Sequence, residues 1–208
     1  YVDMDGVLAD FFGPVAKHHG VKNWRDARRE RNAGGGKIDK LAKKPGYFLH
    51  LKPLPNAGKL INGVLKIADD YNILSSPLLS NVEQSSREKA QWLQKHLKNN
   101  PARAVLFDHE KFKFAKQADG TPNILIDDYD TNIKLWEANG GIGILYKDED
   151  YREVLHKLKA ALHGQIRPQP FEMAILEDDD EAVSDLLDPE NRRSGDLFTS
   201  RQILKYVK

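Results

Sequence analysis

Five short runs of apolar, β-branched and aromatic residues punctuate the chain: Tyr1-Val2, Tyr71 to Leu74, Ala104 to Phe107, Asn123 to Ile126 and Ile142 to Tyr146. They are continuous rather than alternating, which predicts strands buried on both faces. Helical patterns separate most of them. In SSREKAQWLQKHLK, Ala90, Leu93 and Leu97 recur at helical spacing, and Ser85 or Ser86 is placed to cap the start. DTNIKLWEANGG starts at Asp130 or Thr131 and stops at Gly140-Gly141, and the amphipathic stretch up to Gly164 predicts a last helix. Strands alternating with helices predict an α/β fold with a parallel sheet.

The first connection, from about Phe11 to Asp70, is too long for a plain crossover and predicts an inserted cap. It carries the basic stretch RDARRERNAGGGK and the aromatic PGYFLHLKPLP. The GGGK at 34–37 lacks the following Ser or Thr of a phosphate loop and is read as a flexible turn. The expected division is therefore a core of residues 1–13 and 71–164, a helical cap of 14–70, and an acidic extension of 165–208. The run EDDDE at 177–181 in that extension is read as a solvated charge cluster.

Length, charge and composition narrow the classes. The 208 residues, 40% hydrophobic and 30% charged, suit one globular domain with a small appendage. A net charge of +1 gives no overall field that favours nucleic acid or membrane. No apolar run has the length of a membrane span and no signal-peptide pattern is visible, so a cytoplasmic protein without a membrane partner is expected. Cysteine is absent, which excludes disulfides, thiolate metal sites and cysteine nucleophiles.

Polar residues follow the strand runs. Asp3 and Asp5 come after the first, Ser75 and Ser76 after the second, and Asp127 and Asp128 after the fourth. In a doubly wound sheet, ligands bind beyond the carboxyl ends of the strands. With the first strand central, all three sets converge on one crevice. Four carboxylates and two hydroxyls there form a site for a hard cation, Mg²⁺, shared with water and substrate phosphate. The i, i+2 spacing puts Asp3 and Asp5 on one side of an extended segment. One can then attack phosphorus while the other trades protons with the leaving oxygen. A D-x-D pair alone also occurs in metal-binding glycosyltransferases and as a simple cap. Lys89, in the first turn of its helix and on the face of Leu93 and Leu97, is explained by a nearby anion or by a stem that covers apolar surface.

VDMDGVLADF, PGYFLHLKPLP, SSPLL with REKAQWLQKHL, and ILIDDYDTNI together resemble the 5'(3')-deoxyribonucleotidases of the haloacid dehalogenase-like phosphatase superfamily, from residue 1 to about 147. The resemblance implies a Rossmann-like core with a five-stranded parallel sheet, helices on both faces and a small helical cap after the first strand. It implies a Mg²⁺-dependent phosphomonoesterase that works through an aspartyl-phosphate. Asp3 would be the nucleophile and a metal ligand. Asp5 would be the general acid and base, giving its backbone carbonyl to the metal. Asp128 would be a metal ligand with Asp127 beside it. Ser75, Ser76, Lys89 and one lysine of FDHEKFKFAK would hold the phosphate, with Lys111 favoured over Lys113 and Lys116. Phe11, Tyr47 and Phe48 would contact the base of a small nucleotide substrate. Relatives also suggest a homodimer. Two alternatives are kept: the same chemistry on nucleic-acid ends or another small phosphoester, motivated by the basic stretch, and a non-enzymatic binding protein using the extension.

Overall fold

The computed structural model describes residues 1–20, 37–146 and 150–168. The basic stretch at 25–32, the glycines at 34–36, the acidic run and nearly all of the expected extension lie outside the described residues.

Four of the five expected strands form, as two parallel pairs. In one pair β1 (Asn72–Ser75) lies beside β2 (Ala104–Phe107), with Asn72 opposite Ala104 and Ser75 opposite Phe107. The other pairs β3 (Ile124–Asp127) with β4 (Ile142–Leu145), with Asp127 opposite Leu145. The first run is no separate strand but a bridge between the pairs. Val2 makes parallel bridges to both Ile73 and Ile126. Its N–H donates to the Asn72 carbonyl and its own carbonyl accepts from Leu74 N–H, while Asp3 N–H donates to the Ile126 carbonyl. The spatial order is thus β2, β1, Val2, β3, β4. Ser75, Asp3 and Asp127 all stand at the same end.

The apolar continuity of the strands is explained by a core on each face. Ile73, Ile126 and Ile144 belong to one buried cluster. Their chain neighbours Leu74 and Leu125 belong to a second, against which Leu145 packs, as expected when successive side chains point to opposite faces.

The helices are α1 (Phe12–His19), α2 (Lys37–Ala42), α3 (Ala57–Ala68), α4 (Val82–His96), α5 (Asp130–Ala138) and α6 (Tyr151–Leu162). Leu60, Ile61, Val64, Trp92, Leu93, Val154 and Leu158, from α3, α4 and α6, fill the first cluster; Ile133 and Trp136 of α5 fill the second. Helix α3 packs against α6 so closely that a Cβ on Gly63 would fall 2.2 Å from Leu155 Cδ1. Helix α4 begins earlier than Ser85 or Ser86 would set. The Ser85 hydroxyl accepts from Leu78 N–H at 2.9 Å and donates to the Val82 carbonyl, so it braces the approach to the helix instead of capping it. Lys89 accordingly sits in the second turn, not the first. The long excursion after the first segment returns to its starting place. Asp10 N–H donates to the Lys52 carbonyl and Leu54 N–H donates to the Leu8 carbonyl, each at 2.8 Å.

Candidate active site

Asp3 leaves the Val2 bridge directly, and the chain then folds back on itself. The N–H groups of Leu8 and Ala9 both donate to the Met4 carbonyl, and Gly6 N–H donates to the Ala9 carbonyl. Gly6 makes this turn possible at φ +78°, a region that side chains disfavour. It also leaves room: a Cβ there would lie 2.3 Å from Asp128 Oδ2.

Each aspartate of the pair is held by its own buried lysine. Lys111 Nζ lies 2.8 Å from Asp3 Oδ1 and 2.7 Å from Asp127 Oδ2. Lys89 Nζ lies 2.6 Å from Asp5 Oδ2 and donates to Ser75 Oγ at 3.1 Å and to the Ser76 carbonyl. Lys89 is 1% exposed and Lys111 2%. Burial works against the Lys111 ammonium, yet Asp127 and Asp3 together outweigh it and hold its pKa above the usual lysine range. Burial pushes the Asp5 carboxyl up, with the Asp3 charge adding to it, against the pull of Lys89.

Asp127 is fully buried at the end of β3 and its oxygens are well supplied. Oδ1 accepts from Tyr129 N–H, and Oδ2 accepts from Asn132 Nδ2 as well as from Lys111. Asp3, Asp127 and Asp128 each offer an oxygen within 4.8 Å of the others. The carboxylates outnumber the two ammonium groups, so the site keeps a net negative charge that a divalent cation would offset. All-oxygen donors, this spacing and the space kept by Gly6 fit Mg²⁺. The Asp5 carboxylate stands with Lys89, and its Oδ1 is a buried oxygen with no hydrogen-bond donor among the described residues.

Of the other two lysines in FDHEKFKFAK, Lys113 pairs with Glu110 and Lys116 is an exposed side chain passing Gly140. Ser75 is fully buried, and the Ser76 hydroxyl donates to the Asp108 carbonyl at 3.3 Å.

Beside the carboxylates stands an aromatic wall. Phe11 and Phe48 are stacked with centroids 5.9 Å apart, and Tyr47 meets both edge-on. The Tyr47 hydroxyl donates to the Phe11 carbonyl at 2.8 Å, and burial together with the charges of Asp5 and Asp10 raises its pKa. Phe11 and Tyr47 keep accessible surface, whereas Phe48, expected as a substrate contact, is 2% exposed. It gives its ring to Phe11 and to Lys89, whose ammonium lies 4.9 Å from the centroid, so it backs the wall.

The sequence assigned no role to Asn132 or Glu88, and His109 is read from it, with the other histidines, as a surface or structural residue. Asn132 holds Asp127, Glu88 is a buried carboxylate beside Lys89, and His109 lies beside Asp108 at the end of β2. Glu88 lies in REKAQWLQKHL and Asn132 in ILIDDYDTNI, so the motifs carried both, but only the fold shows what each touches.

A family model described as 5' nucleotidase, deoxy (pyrimidine), cytosolic type C matches residues 1–165. A human cytosolic-type 5'(3')-deoxyribonucleotidase is 28% identical, covering 62% of this chain and 70% of its own length. Putative 5'(3')-deoxyribonucleotidases from Staphylococcus epidermidis (26% identical; 70% of this chain, 80% of the relative) and Bordetella pertussis (27%; 53% and 66%) are also similar.

Proposed function

The chain belongs to the cytosolic type C 5' nucleotidase (deoxy, pyrimidine) family and is a phosphoric monoester hydrolase, and on that premise we propose that it dephosphorylates deoxyribonucleoside monophosphates with Mg²⁺ through an aspartyl-phosphate. The carrying observation is the placement of Asp3, shared between the Lys111 ammonium and the three-carboxylate cluster. An Asp3 oxygen attacks phosphorus, and the bond from phosphorus to the sugar oxygen breaks. Asp5 in its acid form passes its proton to that oxygen, which leaves as an alcohol. Asp5, now a carboxylate, takes a proton from water as the water oxygen attacks phosphorus. The Asp3–phosphorus bond then breaks, and orthophosphate leaves with Asp3 and Asp5 restored.

Ser75, Ser76 and Lys89 bind the phosphoryl oxygens, and Lys111 offsets charge on the Asp3 side. Mg²⁺ held by Asp3, Asp127 and Asp128 would neutralise the remaining negative charge at the phosphoryl group. Phe11 and Tyr47 offer the surface for the nucleobase, where stacking contributes about 1–3 kcal/mol. The cap in this reading runs from 14 to Asn56, because α3 packs on α6 with the core. The name of the human relative supports a cytoplasmic setting.

The test is phosphate release from a panel of nucleoside monophosphates and small phosphoesters, with and without Mg²⁺. Deoxyribonucleotides are expected to lead the panel, with turnover lost in chelator and in Asp3→Asn. Wild-type turnover in Asp3→Asn would refute the nucleophile, and full activity in chelator would refute the metal.

A further inference from the structure

Glu88 is a buried carboxylate, 5% exposed, that the chemistry above does not use. It sits on α4 one position before Lys89. Its Oε1 accepts from Gly46 N–H at 2.7 Å and from Gln84 Nε2 at 2.8 Å, and its Oε2 accepts from Phe48 N–H at 3.2 Å. Both oxygens are therefore engaged, each with a backbone donor from the turn that carries Tyr47. Burying a carboxylate is unfavourable unless such donors surround it, and an apolar side chain would pack there without that penalty. What the carboxylate adds is a fixed position: two charge-assisted bonds set the turn in both distance and orientation.

The neighbours Glu88 and Lys89 act in two directions from one helical turn. Lys89 grips Asp5, Ser75 and Ser76 on the phosphate side. Glu88 grips Gly46 and Phe48, and through them the wall: Phe48 stacks on Phe11, and Tyr47 is tied to the Phe11 carbonyl. The separation between the phosphate centre and the aromatic surface is thereby written into α4.

We propose that Glu88 is a positioning residue that sets the reach from the phosphoryl centre to the aromatic wall, and so determines the preference for a phosphoester that carries a nucleobase. This rests on the nucleotide reading above. Glu88→Gln is nearly isosteric but turns one acceptor into an NH₂ facing a backbone N–H donor, so one of the two bonds must be lost.

The experiment compares kcat and KM of wild type and Glu88→Gln, with Mg²⁺, on a pyrimidine deoxyribonucleoside 5'-monophosphate and on p-nitrophenyl phosphate. KM for the nucleotide is expected to rise about tenfold, while kcat for the base-free ester stays within about twofold of wild type and shows that the variant is folded. Where Glu88→Gln does not accumulate folded, Glu88→Asp, which keeps the charge but withdraws both acceptors by one methylene, is read in the same way. Equal losses on both substrates, or an unchanged preference for the nucleotide, would overturn the proposal and leave the nucleotide reading standing. A wild type that turns over both esters equally well would overturn the nucleotide reading and this proposal with it.

Discussion

Replacing Lys111 with Met tests how the site carries its charge. The ammonium is the shared partner of Asp3, 5% exposed, and Asp127, fully buried, at 2.8 and 2.7 Å. Removing one member of such a buried pair is destabilising by about 3–5 kcal/mol. The variant has one escape, which is to fold with one of the two carboxyls protonated. Against an unfolded pKa of about 3.9, that proton costs about 1.4 kcal/mol per pH unit, or about 4 kcal/mol at about pH 7. The folded variant then binds more protons than its unfolded chain, so its stability falls more steeply with rising pH than that of the wild type. The deficit is thus expected to be about 3–4 kcal/mol near pH 7 and to shrink almost to nothing near pH 4. In a domain of this size that is about 6–16 °C in melting temperature near neutrality. The assay is thermal or urea unfolding in chelator across pH, repeated with Mg²⁺. Saturating Mg²⁺ should raise the variant more than the wild type, because the freed carboxylates no longer share themselves with an ammonium. An unchanged midpoint at neutral pH, or a deficit independent of pH, would refute the reasoning.

Two further substitutions probe other parts of the site. Gly6→Ala puts a methyl group 2.3 Å from Asp128 Oδ2 at a positive φ, so a stability loss of about 1–2 kcal/mol and weaker Mg²⁺ binding by calorimetry are expected; wild-type affinity and midpoint would contradict this. The His109 imidazole is pushed down to about 4, chiefly by burial and then by the Lys89 charge. Its unfolded form therefore binds the extra proton, and it removes up to about 3 kcal/mol as pH falls from about 6.5 to about 4. His109→Asn should flatten the acid limb of the stability profile, and an unaltered limb would exclude this origin for it.

Much of this arrangement was readable in the residues. The four paired strands appear as continuous apolar runs because each is covered on both faces, and the carboxylates and serines follow them because strand ends face the crevice. Lys111 could be preferred over Lys113 and Lys116 only by its local context; burial against Asp3 and Asp127 is a tertiary fact. The i, i+2 spacing put Asp3 and Asp5 together but carried no information on which lysine each would meet. The start of α4 was misplaced because a capping serine and a serine tied to Leu78 look alike in sequence. Phe11, Tyr47 and Phe48 stand out in the sequence as aromatics near the carboxylates, whereas the burial of Phe48, whose N–H donates to Glu88, is a tertiary fact.

The bridge at Val2 has a mechanical consequence. The two halves of the sheet meet along a seam about one residue wide, with Ser75 on one side, Asp127 on the other, and Asp3 springing from the stitch itself. Any breathing motion that parts this seam would separate Ser75 from Asp3 and Asp127 long before the helices melt, so hydrolysis should be silenced by a local opening that spectroscopic probes of global unfolding do not register.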